Sequence, residues 1–265
     1  MEDFIVKAVE RVIRAMKANL GEPITIDDMA RTAMFSKFHF SRMFQRVTGI
    51  SPGRFLSALR LQEAKRLLLT SSMTVADISH LVGYNSIGTF SSRFRVSVGV
   101  SPTTYRQYEG FVDPLEERPH RHGRGDSSVV RGHVHHAAQA RPGHIVIGLF
   151  PDRIAQGLPV RHTTLDSAGT FTITGVPAGE WYLIARSVDT GADEEEQDES
   201  TEVYVATLGP LEVAEGELLR PVDMWLRPRL IFDPPALLAQ LDETMLAAEE
   251  AWVPGRAEEA ALPGA

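Results

Sequence analysis

The heptapeptide Gly49-Ile50-Ser51-Pro52-Gly53-Arg54-Phe55 returns fifty positions later as Gly99-Val100-Ser101-Pro102-Thr103-Thr104-Tyr105. The echo extends upstream, where Phe40, Ser41 and Phe44 recur as Phe90, Ser91 and Phe94. Further back the offset slips to 49, so that Thr25-Ile26-Asp27-Asp28 lines up with Thr74-Val75-Ala76-Asp77. A repeat of this length is one supersecondary unit used twice. Each copy reads as a short helix, a tight turn, a second helix and a Gly-x-Ser-Pro break.

The local chemistry of the two copies agrees with that reading. Thr25 and Thr74 each stand three residues before an aspartate, the spacing of a capping box. Gly83-Tyr84-Asn85 marks the turn of the second copy, because glycine and asparagine tolerate positive φ; the counterpart Met34-Phe35-Ser36 has no glycine. Ser36 and Ser86 are N-cap types for the second helices. Phe40, Phe44 and Val47 form one apolar face, leaving Ser41, Arg42, Gln45 and Arg46 off it. Gly49 and Gly99 end these helices, and the following prolines restart the chain, with Ser51 and Ser101 as caps. Residues 3–19 carry apolar side chains at helical spacing, and residues 52–70 form a joining helix whose apolar residues lie all around it.

These motifs resemble the AraC/XylS-type DNA-binding domain, in which a long helix joins two helix-turn-helix units. Phe40-Ser41-Arg42-Met43-Phe44, followed by Gly-x-Ser-Pro-x-x-aromatic, fits the family pattern, and the resemblance covers roughly residues 5–108. It implies a transcriptional regulator, an activator in the usual case, with double-stranded DNA and RNA polymerase as partners. Two recognition helices would enter successive major grooves roughly 34 Å apart. The base-contact candidates are Lys37, Phe38, Ser41 and Arg42 in the first helix, and Ser86, Thr89 and Ser92 in the second. Phe38 reads equally as a thymine-methyl contact or as core. The phosphate candidates are Ser36, Arg46, Asn85, Arg93 and Arg95. The second copy reads Phe90-Ser91-Ser92-Arg93-Phe94, with its arginine displaced by one position and small or apolar residues at 86–89. Its helix is expected to contribute phosphate contacts and shape fit more than base readout.

Charge divides the chain the same way. Residues 1–110 carry 15 Lys+Arg against 9 Asp+Glu, net +6, whereas residues 111–265 carry 12 against 26, net −14. A basic half suits phosphate binding and an acidic one opposes it. There is no cysteine, so disulfides are excluded. Met1-Glu2-Asp3-Phe4 does not open like a secretory leader, and no apolar run approaches a membrane span; a soluble, cytoplasmic protein is expected.

Four segments are expected: a helical DNA-binding domain over 1–110, a polar linker over 111–128, a β domain over 129–230, and a C-terminal helix and tail over 231–265. From Val129 onward the period is two, in short runs at 129–134, 144–150, 169–173 and 181–185, with further strands expected at 201–208 and 222–226. The fold class is multidomain: an all-α double helix-turn-helix domain, then an all-β antiparallel sandwich. Asp166-x-x-Gly169-x-Phe171 and Gly175-Val176-Pro177-x-Gly179-x-Trp181 resemble the carboxypeptidase-regulatory-like or transthyretin-like sandwich, which implies a fold and no activity. Apolar residues Leu238, Leu241, Met245, Ala248 and Trp252 predict a helix over 234–252 capped by Asp233. The acidic run 193–199 reads as a hairpin tip, or as a cover for the basic face.

Gly49-Ile50-Ser51-Pro52-Gly53 formally matches a nucleophile elbow, but proline follows the serine and no strand precedes it. Seven of the nine histidines fall between His120 and His162 without metal-ligand spacing. No catalytic residue, cofactor or metal is expected. The expected function is sequence-specific transcriptional regulation, with the sandwich as an effector or interaction module. The alternatives are a DNA-tethered transthyretin-like hydrolase, and a protein-docking module with non-specific DNA binding.

Overall fold

The computed structural model describes residues 2–110, 128–137, 142–189 and 203–239. Seven helices come first: α1 (Glu2–Ala18), α2 (Ile26–Ala33), α3 (Lys37–Thr48), α4 (Pro52–Thr70), α5 (Val75–Leu81), α6 (Ile87–Val98) and α7 (Pro102–Gln107). Both capping boxes form. The Thr25 Oγ1 accepts from the Asp28 amide while Asp28 accepts from the Thr25 amide, and Thr74 and Asp77 do the same. Gly49 and Gly99 end α3 and α6 at φ 81° and 101°, values that carry almost no cost for a residue without Cβ.

The repeat is also a repeat of packing. Phe40, Phe44 and Phe55 lie edge to face at 5.6 and 5.5 Å, and Phe90, Phe94 and Tyr105 repeat the chain at 5.7 and 5.6 Å. All six rings are buried, and such pairs add about 0.5–1.5 kcal/mol each beyond their buried area. Between the two units runs α4, buried all around through Phe55, Leu56, Leu59, Leu61, Leu67 and Leu68. Two details differ from the sequence reading. The first turn takes its left-handed residue from Met34, at φ 63°, where the second uses Gly83 at φ 86°. Ser36 sits at the N-cap of α3 but makes no side-chain cap bond, whereas Ser86 accepts from the Thr89 amide.

The β half has strands β1 (Ser128–His136), β2 (Pro142–Phe150), β3 (Arg161–Leu165), β4 (Thr170–Val176), β5 (Gly179–Asp189), β6 (Val203–Val213) and β7 (Val222–Pro228). It departs from an antiparallel two-sheet sandwich. The seven strands form one sheet in the order β3-β2-β5-β6-β7-β1-β4, and β1 runs parallel to β7. The edge strands β3 and β4 are joined by only four residues, 166–169, so the ends of the sheet must meet and the sheet curls around its own core. That core gathers Val130, Val134, Ile145, Ile147, Leu149, Phe171, Leu183 and Met224. Gly132 is obligatory where β1 meets β7, since a Cβ there would lie 1.9 Å from the Val222 carbonyl oxygen. Ser128, expected in the linker, opens β1, and its hydroxyl donates to the Ala214 carbonyl at 2.7 Å.

The two halves share a core. The β2–β3 connection (151–160) and the segment after β7 (229–239) lie on the helical half. Ile154, Leu237 and Ala239, all essentially buried, belong to the helical hydrophobic cluster. Backbone bonds join Gly157 N–H to the Ser97 carbonyl, Leu237 N–H to Ala155 at 2.7 Å and Ala239 N–H to Val98 at 2.8 Å. The buried Lys65 ammonium of α4 donates to the Leu238 carbonyl at 3.0 Å. Residues 234–239 form no helix and bend at Leu238, correcting the start of the expected C-terminal helix. Asp233 caps no helix; it accepts two bonds from the Arg227 guanidinium, at 2.7 and 2.6 Å. The rest of that helix, the linker through 127 and the acidic run 193–199 fall outside the described residues.

A shared core predicts a single unfolding transition. Helix ellipticity reports the helical half, and in a Trp252→Phe background fluorescence reports Trp181 and Trp225 of the β half; in urea the two signals should move together. Leu237→Ala should lower the stability of both by about 2–4 kcal/mol. Lys17, at the end of α1, has its amine pushed down to about 8, first by burial and then by nearby Arg229 and Arg14. The unfolded chain therefore binds more protons than the folded one between about pH 8 and 10.5, and stability should rise with pH across that window. Lys17→Met should flatten the rise, as checked by denaturation midpoints at pH 7, 8.5 and 10.

Candidate nucleic-acid interface

Exposure separates a working face from a packing face on each second helix, in nearly the same pattern fifty residues apart. On α3, Phe40, Met43, Phe44 and Thr48 are buried, and Lys37, Phe38, His39, Arg42, Gln45 and Arg46 are exposed. On α6, Phe90, Phe94 and Val98 are buried, and Ile87, Gly88, Thr89, Ser92, Arg93, Arg95 and Val96 are exposed. Ser36, Asn85 and Ser86 are exposed at the turns before them. Phe38 stands 85% exposed, so it is not core, and the thymine-methyl alternative is the one its position allows.

Several candidates carry bonds that DNA binding would have to respect. The Lys37 ammonium lies 3.2 Å from the Asp27 carboxylate of α2, an exposed pair of the kind worth at most about 1 kcal/mol. Ser41 is half-buried and its hydroxyl donates back to the Lys37 carbonyl at 2.9 Å, leaving its oxygen to accept. Ser86 is committed to capping α6. Arg42 has an exposed guanidinium on the helix face it shares with Phe38 and Arg46. Two residues of this surface are not among the contact candidates: His39, which the sequence reading does not single out, and Gln45, which it places only off the apolar face. His39 stacks on Phe35, with ring centroids 5.1 Å apart, and falls one turn before Arg42; Gln45 falls one turn beyond it. Their spacing from Arg42 was the available signal.

The two helices differ in chemistry. At positions fifty apart, Phe38 is matched by Gly88, Arg42 by Ser92 and Arg46 by Val96. The first helix offers a row of cationic and aromatic groups. The second offers small and apolar groups with Arg93 and Arg95 beside them.

Residues of the β half meet both helices at their C-terminal ends. At α3, Arg153 lies against Gly49, and a cleft of about 380 Å³ is lined by Arg46, Arg153, Arg227, Trp225 and Asp223 among others. Trp225 is stacked on His135 at 4.5 Å, and His135 Nε2 lies 2.9 Å from Asp223 Oδ1. At α6, Leu158 packs on Gly99 and Gly157 bonds to Ser97. The N-terminal turns of α3 and α6 stay uncovered by the described β residues.

Comparison with known proteins matches residues 29–108 to a helix-turn-helix domain family. The HTH-type transcriptional regulator GbdR of Pseudomonas aeruginosa is 32% identical over 111 residues, covering 42% of this chain and 30% of that protein. The HTH-type transcriptional activator AarP of Providencia stuartii is 29% identical over 112 residues, covering 42% of this chain and 83% of its own length. Among solved structures, the DNA-binding domain of AdpA in complex with a target DNA aligns at 30% identity over 38% of this chain and 90% of that one, with a TM-score of 0.37. Residues 29–108 of the helical half match a helix-turn-helix domain, and the same region is similar to HTH-type transcriptional regulators. The chain spans about a third of the length of the first of these relatives, and the family match ends at residue 108, before the β half begins.

The site predicts two kinds of variant. Arg42→Ala should weaken binding to a preferred sequence by about 1–3 kcal/mol and relax the choice of base at one position. Arg46→Ala should weaken binding to all sequences alike and lower the salt slope by about one. Fluorescence anisotropy on a matched and a scrambled duplex separates the two.

Proposed function

We propose that this protein is a sequence-specific transcriptional regulator that reads two successive major grooves of double-stranded DNA. The observation that carries the reading is the duplicated helix-turn-helix, with each second helix exposed along its N-terminal turns and the pair fixed by α4. At 19 residues, α4 is about 28 Å long, of the order of one DNA turn, roughly 34 Å. Lys37, Phe38, Ser41 and Arg42 take base edges in the first groove, together with His39 and Gln45. Ser86, Thr89 and Ser92 fit the second groove by shape. Ser36, Arg46, Asn85, Arg93 and Arg95 hold phosphates. Activation is the mode that AarP's name points to, and RNA polymerase is the partner such a role would need.

The β half serves as an effector or interaction module, and its shared core with the helical half favours this over a passive tether. The hydrolase alternative would need a nucleophile beside the His135–Asp223 pair. Among the described residues, none hydrogen-bonds to either member.

The test is selection of genomic fragments by the full chain, followed by affinity measurements from 50 to 300 mM salt. One enriched sequence bound at least a hundredfold more tightly than scrambled DNA is expected. Equal, salt-sensitive binding to every fragment would leave only the non-specific reading.

A further inference from the structure

The positive charge of α3 does not stop where the helix ends. Arg46 lies in its last turn, and three residues on, at Gly49, the guanidinium of Arg153 lies against the chain, its Nη1 2.8 Å from where a Cβ would stand. Gly49 therefore makes room for a group contributed by the β2–β3 connection. Both arginines are exposed, and both line the cleft of about 380 Å³ between the end of α3 and strands β6 and β7. Arg153 is positioned by the ring of Tyr182, whose centroid lies 6.0 Å from its guanidinium carbon.

The carboxylates around the cleft are already engaged. Asp233 accepts two bonds from Arg227, Asp152 lies 2.6 Å from Arg54, and Asp223 lies 2.9 Å from the His135 ring. Arg46 and Arg153 have no ion-pair partner among the described residues. The cleft lining holds three arginines against two aspartates, so it keeps a positive charge even with His135 neutral. Two unpaired guanidinia on one cleft call for an anion, and the planar fork of arginine matches phosphate.

The length of α3 says which anion. Its 12 residues make a helix about 18 Å long, whereas a major groove is about 12 Å wide and about 8.5 Å deep. With its N-terminal turns at the base edges, the last turn of α3 lies at the groove's phosphate wall, and Arg153 lies beside that turn. We propose that the β half is itself part of the DNA interface: Arg153 binds the backbone phosphate next to the one held by Arg46. This rests on the DNA-binding reading of α3. Residues 111–265 carry net −14 and the family match ends at residue 108, so Arg153 is a local exception in the half that charge alone sets against DNA. A contact of this kind fixes register and carries no base preference.

The experiment measures the affinity of the full chain for the selected and scrambled duplexes from 50 to 300 mM salt, and maps phosphates by ethylation interference. Arg153→Gln should weaken both duplexes alike, by about threefold or more at the lowest salt, and lower the salt slope by about 0.9, in an Arg46→Ala background as well. Arg153→Lys, which keeps the charge, should retain the slope. Arg220→Gln removes the same charge from an exposed site of the β half outside the cleft and should leave the slope unchanged. One phosphate flanking the first groove should be sensitive to ethylation with the native chain and lose that sensitivity with Arg153→Gln. Arg153 is exposed, so the variant keeps the fold, as circular dichroism verifies. An unchanged slope, an equal drop with Arg220→Gln, or no phosphate that loses its sensitivity overturns the contact. The slope on scrambled DNA reports the contact without any sequence preference, so failure of sequence-specific recognition shows separately, as equal affinity for the two duplexes.

Discussion

The Gly-x-Ser-Pro break is the constraint on which the rest of the molecule depends. Its glycine turns the chain left-handed at the end of each recognition helix, at φ 81° for Gly49 and 101° for Gly99. Its serine caps the next helix, and its proline occupies a first turn whose amides need no intrahelical partner. The same two glycines are where the β half touches down. A Cβ at Gly49 would fall 2.8 Å from the Arg153 guanidinium, and one at Gly99 3.5 Å from Leu158. One short motif thus ends the reading helix, orients the following helix and leaves room for the second half of the chain.

A division along each recognition helix follows. The N-terminal turns, with Lys37, Phe38 and Arg42 on one and Ile87, Thr89 and Ser92 on the other, face outward. The C-terminal turn of α6 is held by backbone bonds from Gly157 to Ser97 and from Ala239 to Val98, and at the end of α3 Arg153 lies against Gly49. Grip at one end and freedom at the other is what a groove-reading helix needs if a second module is to influence it. The two helices are not equivalent. Ser92 and Val96 stand at the positions matching Arg42 and Arg46, so on the proposed reading discrimination between sequences would concentrate on the first groove.

The helical half was legible because its signals are local. Capping boxes span three residues, apolar faces seven, and the glycine breaks stand at the helix ends. Where a signal was not local, the reading failed. Met34 takes a left-handed conformation without glycine, which exposure at the turn tolerates and composition does not advertise. The parallel pairing of β1 with β7 joins Gly132 to Val222, and Arg54 meets Asp152, across intervals of about ninety to a hundred residues. Strand β3, Arg161–Leu165, has no fully buried residue and so presents no apolar run. The segment after Asp233 carries leucines that fit a heptad, yet irregular backbone buries Leu237 and Ala239 against the helices. At the candidate interface the cationic and polar residues were found from their places in the repeat. His39 was missed because the sequence gives it neither a place in the repeat pattern nor a fixed charge, and Gln45 was placed off the apolar face without a contact role, although glutamine is a type that pairs with adenine.

The central claim is geometric: two recognition helices, set one DNA turn apart by α4, enter successive major grooves on one face of the duplex. Methylation protection of guanines along a selected duplex by the full chain tests it most directly. The account predicts two protected patches about 10–10.5 base pairs apart on the same face, with the stronger protection under the first helix and its selective loss in Arg42→Ala. A single patch, or protection spread evenly along the duplex, would contradict it.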